Sequence, residues 1–346
     1  MIQSDTSNPL LKLGIYDIAN LRKEIQQAAQ EPYLVEGFVA QQSLSLAVGD
    51  SNLGKSPFLY QLALSVASGK PFLSMPVKQG PVLYMDAENS PLQVAALVTT
   101  LADYLGLPDV PANLLLYNKN NCPGGYGLAE LVKAAQPRLV ILDPIYAWYP
   151  HIEGSAENVT AAYGELRSIM KDNHCAVMGV HHPGKESNDP KAPARERLES
   201  VDVHKWLARA RGSSALINGC DHRLAFDRPV LPGDCKLVVG GFTRVLGSLP
   251  LVRLARDLDA DGEPRGYRRL GGVDLLKPAW QAVYQALPEV FRFKDVKPHF
   301  DDKSDATAKF LNACVAADVL DHDLTVKPKG AYRKKVAPSA AEEVAA

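Results

Sequence analysis

Nowhere in this 346-residue chain do apolar residues run unbroken for the ~18 positions that a membrane span requires. The N-terminus, MIQSDTSNPLLKLG, lacks a basic start followed by an apolar run, so a secretory signal is not expected. Cysteine is sparse and scattered: Cys122, Cys175, Cys220, Cys235 and Cys314 are odd in number and form no C-x-x-C pair. That spacing argues against a disulfide framework or a zinc site and for reduced thiols. Net charge is almost absent, at -1 with a pI near 6.7. No whole-molecule basic field therefore attracts nucleic acid, and any such contact needs a local patch. Internal repeats are also missing. These absences predict a soluble, cytoplasmic protein with no membrane partner.

What is present is an ordinary globular composition, 46% hydrophobic and 22% charged, enough for a full core. At about 150 residues per domain, the length suggests roughly two domains. Residues 17 to 30 read as a short amphipathic helix, broken by Pro32, in an N-terminal segment 1–32. From Leu44 onward strands and helices alternate, which predicts an α/β domain over 33–270 with a mainly parallel, twisted sheet. Strands are expected at 43–48, 81–89, 114–118, 138–143 and 176–182. Helices are expected at 56–68, 91–105, 128–136 and 157–173. Residues 183 to 203 are polar, rich in proline and charge, and without apolar period, so they read as a mobile loop. The runs 223–226, 236–241 and 250–255 read as antiparallel strands extending the sheet, with 257–266 a turn-rich hairpin or linker. Over 277–335, three short helices (279–286, 293–299, 304–317) precede two strands around a basic turn, a winged-helix pattern. Residues 336–346 read as a frayed tail.

GDSNLGKS, residues 49 to 56, satisfies G-x-x-x-x-G-K-[ST] between a predicted strand and a predicted helix. Glycines let backbone N–H groups wrap phosphates, and the helix presents its positive dipole end to them. The binding loop comprises Gly49, Asp50, Ser51, Asn52, Leu53, Gly54, Lys55, Ser56 and Pro57, with ATP as ligand. Lys55 is assigned to the β- and γ-phosphates and Ser56 to Mg²⁺. Pro57 lies in the first helical turn, where proline is tolerated. Asp143 ends the apolar strand RLVILD, the usual position of the Mg²⁺-linked carboxylate. The next residue is Pro144, not glutamate, so the catalytic base must come from another strand. Glu88, closing VLYMDAEN, is the natural choice, with Asp86 its support or a plain cap. His181 and His182 end AVMGVHH; successive strand residues face opposite ways, so only one can point at the nucleotide. These motifs all follow C-terminal strand ends, which a parallel sheet brings to one edge.

GDSNLGKS, VLYMDAEN, LVILDP, VMGVHHPGK and ARARGSSALINGCD together resemble the RecA-like ATPases of the RepA type, the hexameric replicative helicases of plasmids and their phage and integrated relatives. The match spans about residues 33 to 256. The resemblance implies a RecA-like P-loop core, a homo-oligomeric and hexameric ring, and ATP bound between subunits. It also implies Glu88 as catalytic base, Asp143 on Mg²⁺, His182 as γ-phosphate sensor, and Arg211 as an arginine finger acting on a neighbour. Arg209, two residues away, is the alternative finger. A single-stranded DNA partner is implied too, gripped by the loop after the sensor strand. From Lys185 to Glu199 that loop has four basic and four acidic residues and no aromatic, so electrostatics alone does not make it a DNA grip. Lys191, Arg195 and Arg197 qualify only if it orders on binding. Lys327, Lys329, Arg333 and Lys334 in the expected wing suit duplex phosphates, or the unit serves protein contact. The reading is an ATP-driven motor on single-stranded DNA. The alternatives are a ring- or filament-forming ATPase switch and, less well supported, a metabolic P-loop kinase.

Overall fold

A computed structural model describes residues 17–18, 33–119, 126–184, 195–230, 235–244, 247–317, 319–323 and 330–335. Most of the expected N-terminal helix, Cys122, Lys185, Lys191, Lys327, Lys329 and the tail lie outside them. Among the described residues no helix is long and apolar enough to cross a membrane.

A small hairpin, β1 (Tyr33–Val35) and β2 (Val39–Ala40), leads into the alternating region. There follow β3 (Leu44–Gly49), α1 (Lys55–Ser68), β4 (Val82–Asp86), α2 (Pro91–Tyr104), β5 (Leu114–Asn118), α3 (Leu128–Ala135), β6 (Leu139–Asp143), α4 (Ala156–Asn173) and β7 (Ala176–His181). Two short helices, α5 (Val203–Leu207) and α6 (Ser214–Asn218), precede β8 (His222–Asp227), β9 (Cys235–Thr243), β10 (Gly247–Leu258) and β11 (Pro264–Leu270). Among the described residues nine strands form one sheet, in the order β11-β10-β9-β8-β3-β7-β6-β4-β5. The strands of this sheet alternate their side chains between two cores, as period 2 dictates. Ala47, Tyr84, Ile141 and Met178 join α1, α2 and the β1–β2 hairpin on one face. Leu46, Leu83, Leu142 and Val177 join α3, α4, α5 and α6 on the other. Burial on both faces explains why the central strands read as continuous apolar runs.

Two expectations need correction. The run 223–226 was expected to open the antiparallel extension, but β8 pairs parallel with β3, His222 opposite Ser45. The chain reaches it through a crossover carrying α5 and α6, which returns it in the same direction. Antiparallel pairing begins with β9. The second half of 183–203 is also ordered and packed. Leu198–Ser200 forms a 3-10 turn, with Leu198 buried. Asp227, at the end of β8, accepts hydrogen bonds from Leu198 N (2.8 Å), Trp206 Nε1 (2.9 Å) and an Arg197 guanidinium nitrogen (3.2 Å). That carboxylate supplies what the apolar pattern of the segment lacks.

The described residues between 278 and 334 close over their own core, which includes Phe291, Val296, Phe310, Leu311 and Leu320. Its elements are α7 (Pro278–Ala286), β12 (Val290–Phe291), α8 (Phe293–Val296), α9 (Ser304–Ala316), β13 (Leu320–Asp323) and β14 (Ala331–Lys334). The sheet order is β12-β14-β13, antiparallel throughout. The helix expected over 293–299 stops at Val296 and continues as a 3-10 turn, Lys297–Phe300. Pro298 has no N–H to carry the α ladder onward.

Candidate nucleotide site

The phosphate loop spans the gap between β3 and α1. Gly54 caps α1 with φ 90°, and no side chain caps the helix or places an acid in its first turn. The first N–H groups of a helix have no intrahelical partner, so here they remain available to an anion. Two glycines are required by close approach. A Cβ on Gly49 would stand 2.7 Å from Phe226 Cβ on β8, and one on Gly54 only 2.0 Å from the Tyr267 hydroxyl. Lys55 is 6% exposed; its Nζ donates to Gly49 O (2.8 Å) and Asp50 O (2.7 Å). Burial lowers its pKa, opposed by Asp143, Glu88 and Asp50.

Asp143 and Asp86 lie opposite each other in the β4–β6 register, yet they have different surroundings. Asp143 Oδ2 accepts from Ser56 Oγ (2.9 Å) and Tyr84 Oη (2.7 Å). Asp86 accepts from Tyr60 Oη (2.8 Å), the backbone N–H of Glu88 and Asn89, and Asn89 Nδ2. Asp86 is thus saturated by the turn it builds, and that turn carries Glu88. Tyr60 and Tyr84, stacked at 3.7 Å, each hold one carboxylate; neither was legible as a site residue, since each sits inside an apolar helix or strand pattern.

Burial pushes the Asp143 carboxyl up to about 6 from an ordinary 3.8, against the hydrogen bonds from Tyr84 and Ser56. The folded chain therefore holds an extra proton between those values. The favourable protonated state contributes below about pH 4 and is lost as pH rises through about 6. Near pH 7 the bare charge costs about 3 kcal/mol, at about 1.4 kcal/mol per unit. In metal-free protein Asp143→Asn is expected to raise Tm by several degrees at pH 7 and to flatten the fall in stability between pH 4 and 6. Thermal melts in chelator at both pH values check this.

Glu88 lies just past β4, its side chain 45% exposed. His182 Nε2 stands 3.9 Å from Glu88 Oε1, and Tyr146 Oη donates to that oxygen at 3.3 Å. The His182 contact holds the Glu88 carboxyl below the usual range despite partial burial, with Tyr146 and Lys55 adding to it. His182 Nδ1 lies 3.2 Å from Gly49 O; a carbonyl only accepts, so Nδ1 carries the proton. His181 points the other way, fully buried, its Nε2 donating to Arg211 O at 2.8 Å. The alternation along β7 thus puts His182 in the cleft and His181 out of it.

The structure brings Ser51 to Pro57, Glu88, Asp143 and His182 together in one cleft of about 640 Å³. Arg211 lies outside the lining, its Nε on Glu153 Oε2 at 2.6 Å. Arg209 donates to Glu196 O and is far less exposed than Arg211. Two expected DNA contacts are engaged internally: Arg195 with Asp50 (3.2 Å) and Arg197 with Asp227 (3.2 Å). In the C-terminal unit Lys334 Nζ donates to Leu287 O (2.6 Å) and lies over the Tyr284 ring.

The far wall is not legible in the sequence. The β10–β11 hairpin delivers Arg256, Leu258, Pro264 and Tyr267 to the cleft. The Arg256 guanidinium lies 5.6 Å from the Tyr267 ring centroid, its Nε without a hydrogen-bond partner among the described residues. Tyr267 Oη donates to Gly54 O (3.2 Å), and Gln61 of α1 bonds both the N–H and the carbonyl of residue 267. No motif marks these positions. A wall of this kind depends on folding a hairpin back over the loop.

The oxygen donors at Ser56 and Asp143, 2.9 Å apart, fit a hard cation such as Mg²⁺. Residues 17–188, just under half of the chain, match the family described as an AAA domain. Curated proteins contain no match to the chain. Among solved structures the chain is similar to a KaiC-like protein from the hyperthermophilic archaeon Pyrococcus horikoshii OT3. Identity is 12% over 68% of this chain and 93% of that chain, at a TM-score of 0.42. Strand order and phosphate loop agree with that family match: the described residues within 17–188 lie in a P-loop fold similar to AAA domains.

Proposed function

We propose that this protein hydrolyses ATP as an assembly of its own copies and applies the energy to single-stranded DNA, as a replicative helicase or helicase-like ATPase of a plasmid, phage or integrated element. The observation that carries the hydrolytic part is the meeting of Glu88 and His182 at 3.9 Å beside the phosphate loop. The α1 N-terminus and Lys55 bind the triphosphate, Lys55 exchanging its two carbonyl partners for phosphate oxygens. Glu88, ionised at neutral pH, orients a water and accepts its proton. His182 bridges the loop carbonyl of Gly49 and Glu88, which suits a γ-phosphate sensor. Mg²⁺, held by Ser56 and Asp143, would neutralise charge on the β- and γ-phosphates. Arg211, 49% exposed, stabilises transition-state charge in a neighbouring subunit of a ring, hexameric by the RepA resemblance.

The three helices and three-stranded sheet of residues 278 to 334 support a winged-helix reading and, with it, contact to duplex DNA. A second reading, an ATPase switch that forms rings or filaments without unwinding, is favoured by one observation. Arg195 and Arg197, after the sensor strand, are held by Asp50 and Asp227. The ATPase rate with and without single-stranded DNA separates the two. The motor reading expects stimulation and unwinding of a forked duplex. A flat rate with no unwinding overturns it in favour of the switch.

A further inference from the structure

Arg211 is held within its own chain by a contact that looks built. Glu153, in the turn before α4, accepts from Arg211 Nε at 2.6 Å and pairs with its NH2 group through the same carboxylate oxygen. Gly212 follows with φ +92°, and a Cβ there would stand 2.9 Å from Glu153 Cα and from Glu153 O. Only glycine lets the 211–213 backbone approach this closely. Backbone bonds fix the same segment to the sensor strand: Arg211 N donates to His182 O (3.1 Å), and His181 Nε2 to Arg211 O (2.8 Å).

The other Glu153 oxygen points inward. Glu153 Oε1 and His181 Nδ1 are both buried, face each other at 3.8 Å, and have no hydrogen-bond partner among the described residues. Buried polar atoms left in this way cost free energy. Seven residues earlier on the same connection, Tyr146 donates to Glu88. One stretch of chain after β6 therefore touches the proposed catalytic base, the sensor strand and the proposed finger.

We propose that Glu153 is a positioning residue for Arg211: it holds the guanidinium against its own subunit until the nucleotide of a neighbouring copy takes it over. The inference rests on the reading of Arg211 as a finger acting between subunits. Because Glu153 competes with the neighbour's phosphate for one cation, weakening it favours the assembled, active form. A purely structural carboxylate would do the opposite when removed.

The test is the dependence of specific ATPase activity on protein concentration, measured on the full chain. Glu153→Gln is expected to lower the half-saturating concentration about two- to fivefold, the range of a partly exposed ion pair. Glu153→Asp, which keeps the charge but withdraws it by one methylene, should shift it the same way by less, and it carries the test if the glutamine variant fails to fold. In the Arg211→Ala background, Glu153→Gln should leave the solution mass with a non-hydrolysable ATP analogue as it is in Arg211→Ala alone. An unchanged or raised half-saturating concentration in folded Glu153 variants, with Arg211→Ala inactive, overturns the proposal and leaves the finger reading standing. Normal hydrolysis by Arg211→Ala removes the finger reading itself, and the proposal with it.

Discussion

Glu88→Gln is expected to lower ATP turnover by about 10²–10⁴-fold, the usual contribution of a positioned general base, while nucleotide affinity stays within a few-fold. The substitution is nearly isosteric, and its amide oxygen still accepts the hydrogen bond that Tyr146 gives to Glu88. What disappears is the negative charge, and with it the basicity. Affinity is expected to be spared because the proposed holders of the triphosphate are the α1 N-terminus and Lys55, not Glu88. His182, Tyr146 and Lys55 keep the Glu88 carboxyl below its ordinary range, so the proposed base is ionised at neutral pH and its activity should fall only on acidification. Single-turnover hydrolysis beside equilibrium binding of a fluorescent ATP analogue separates the two effects. Equal loss of both would mean that Glu88 holds the loop, and undiminished hydrolysis would move the base elsewhere. Asp86→Asn provides the contrast. Asp86 accepts four hydrogen bonds from its surroundings, so its replacement should lower Tm as well as activity.

The second large effect is expected from Gly54→Ala. At φ 90° a Cβ costs about 1–2 kcal/mol from backbone strain alone, and here it also meets the Tyr267 hydroxyl at 2.0 Å. Overpacking of that kind adds about 1–3 kcal/mol. Either Tyr267 leaves the far wall or the loop moves away from it, and in both cases the N–H groups proposed to face the phosphates are displaced. ATP binding should weaken by at least about tenfold, roughly 1.4 kcal/mol, with a lower Tm. Tyr267→Phe alone removes one hydrogen bond to Gly54 O, worth about 1 kcal/mol. With the hydroxyl gone the nearest ring atom is Cζ, at 3.4 Å from the added Cβ. The double variant Gly54→Ala/Tyr267→Phe should therefore be more stable than the sum of the singles, the shortfall measuring the clash. Strict additivity would show that Tyr267 does not pack on the loop.

The chain's own pattern was enough to determine the phosphate loop, the alternation of strands and helices from Leu44 to His181, and the carboxylates and histidines at strand ends. Each is a local signal: a glycine spacing, an apolar run of strand length, or a polar residue where such a run stops. The parallel sheet then gathers those ends at one edge, so Asp86/Glu88, Asp143 and the His181/His182 pair are expected in one crevice, while the choice of His182 comes from the RepA resemblance. Local spacing has no access to what completes the site. Tyr267 lies 213 positions from the glycine whose carbonyl it bonds, and Glu153 lies 58 positions from Arg211. Asp227, which ties down the segment after the sensor strand, is 29 positions from Leu198. The direction of β8 is likewise not legible, because a short apolar strand has the same period in either direction and only its crossover decides. Composition and spacing thus determined a phosphate-loop edge and the candidate residues along it. The folding of distant segments onto that edge decided its far wall, the partners of its carboxylates and the resting place of Arg211.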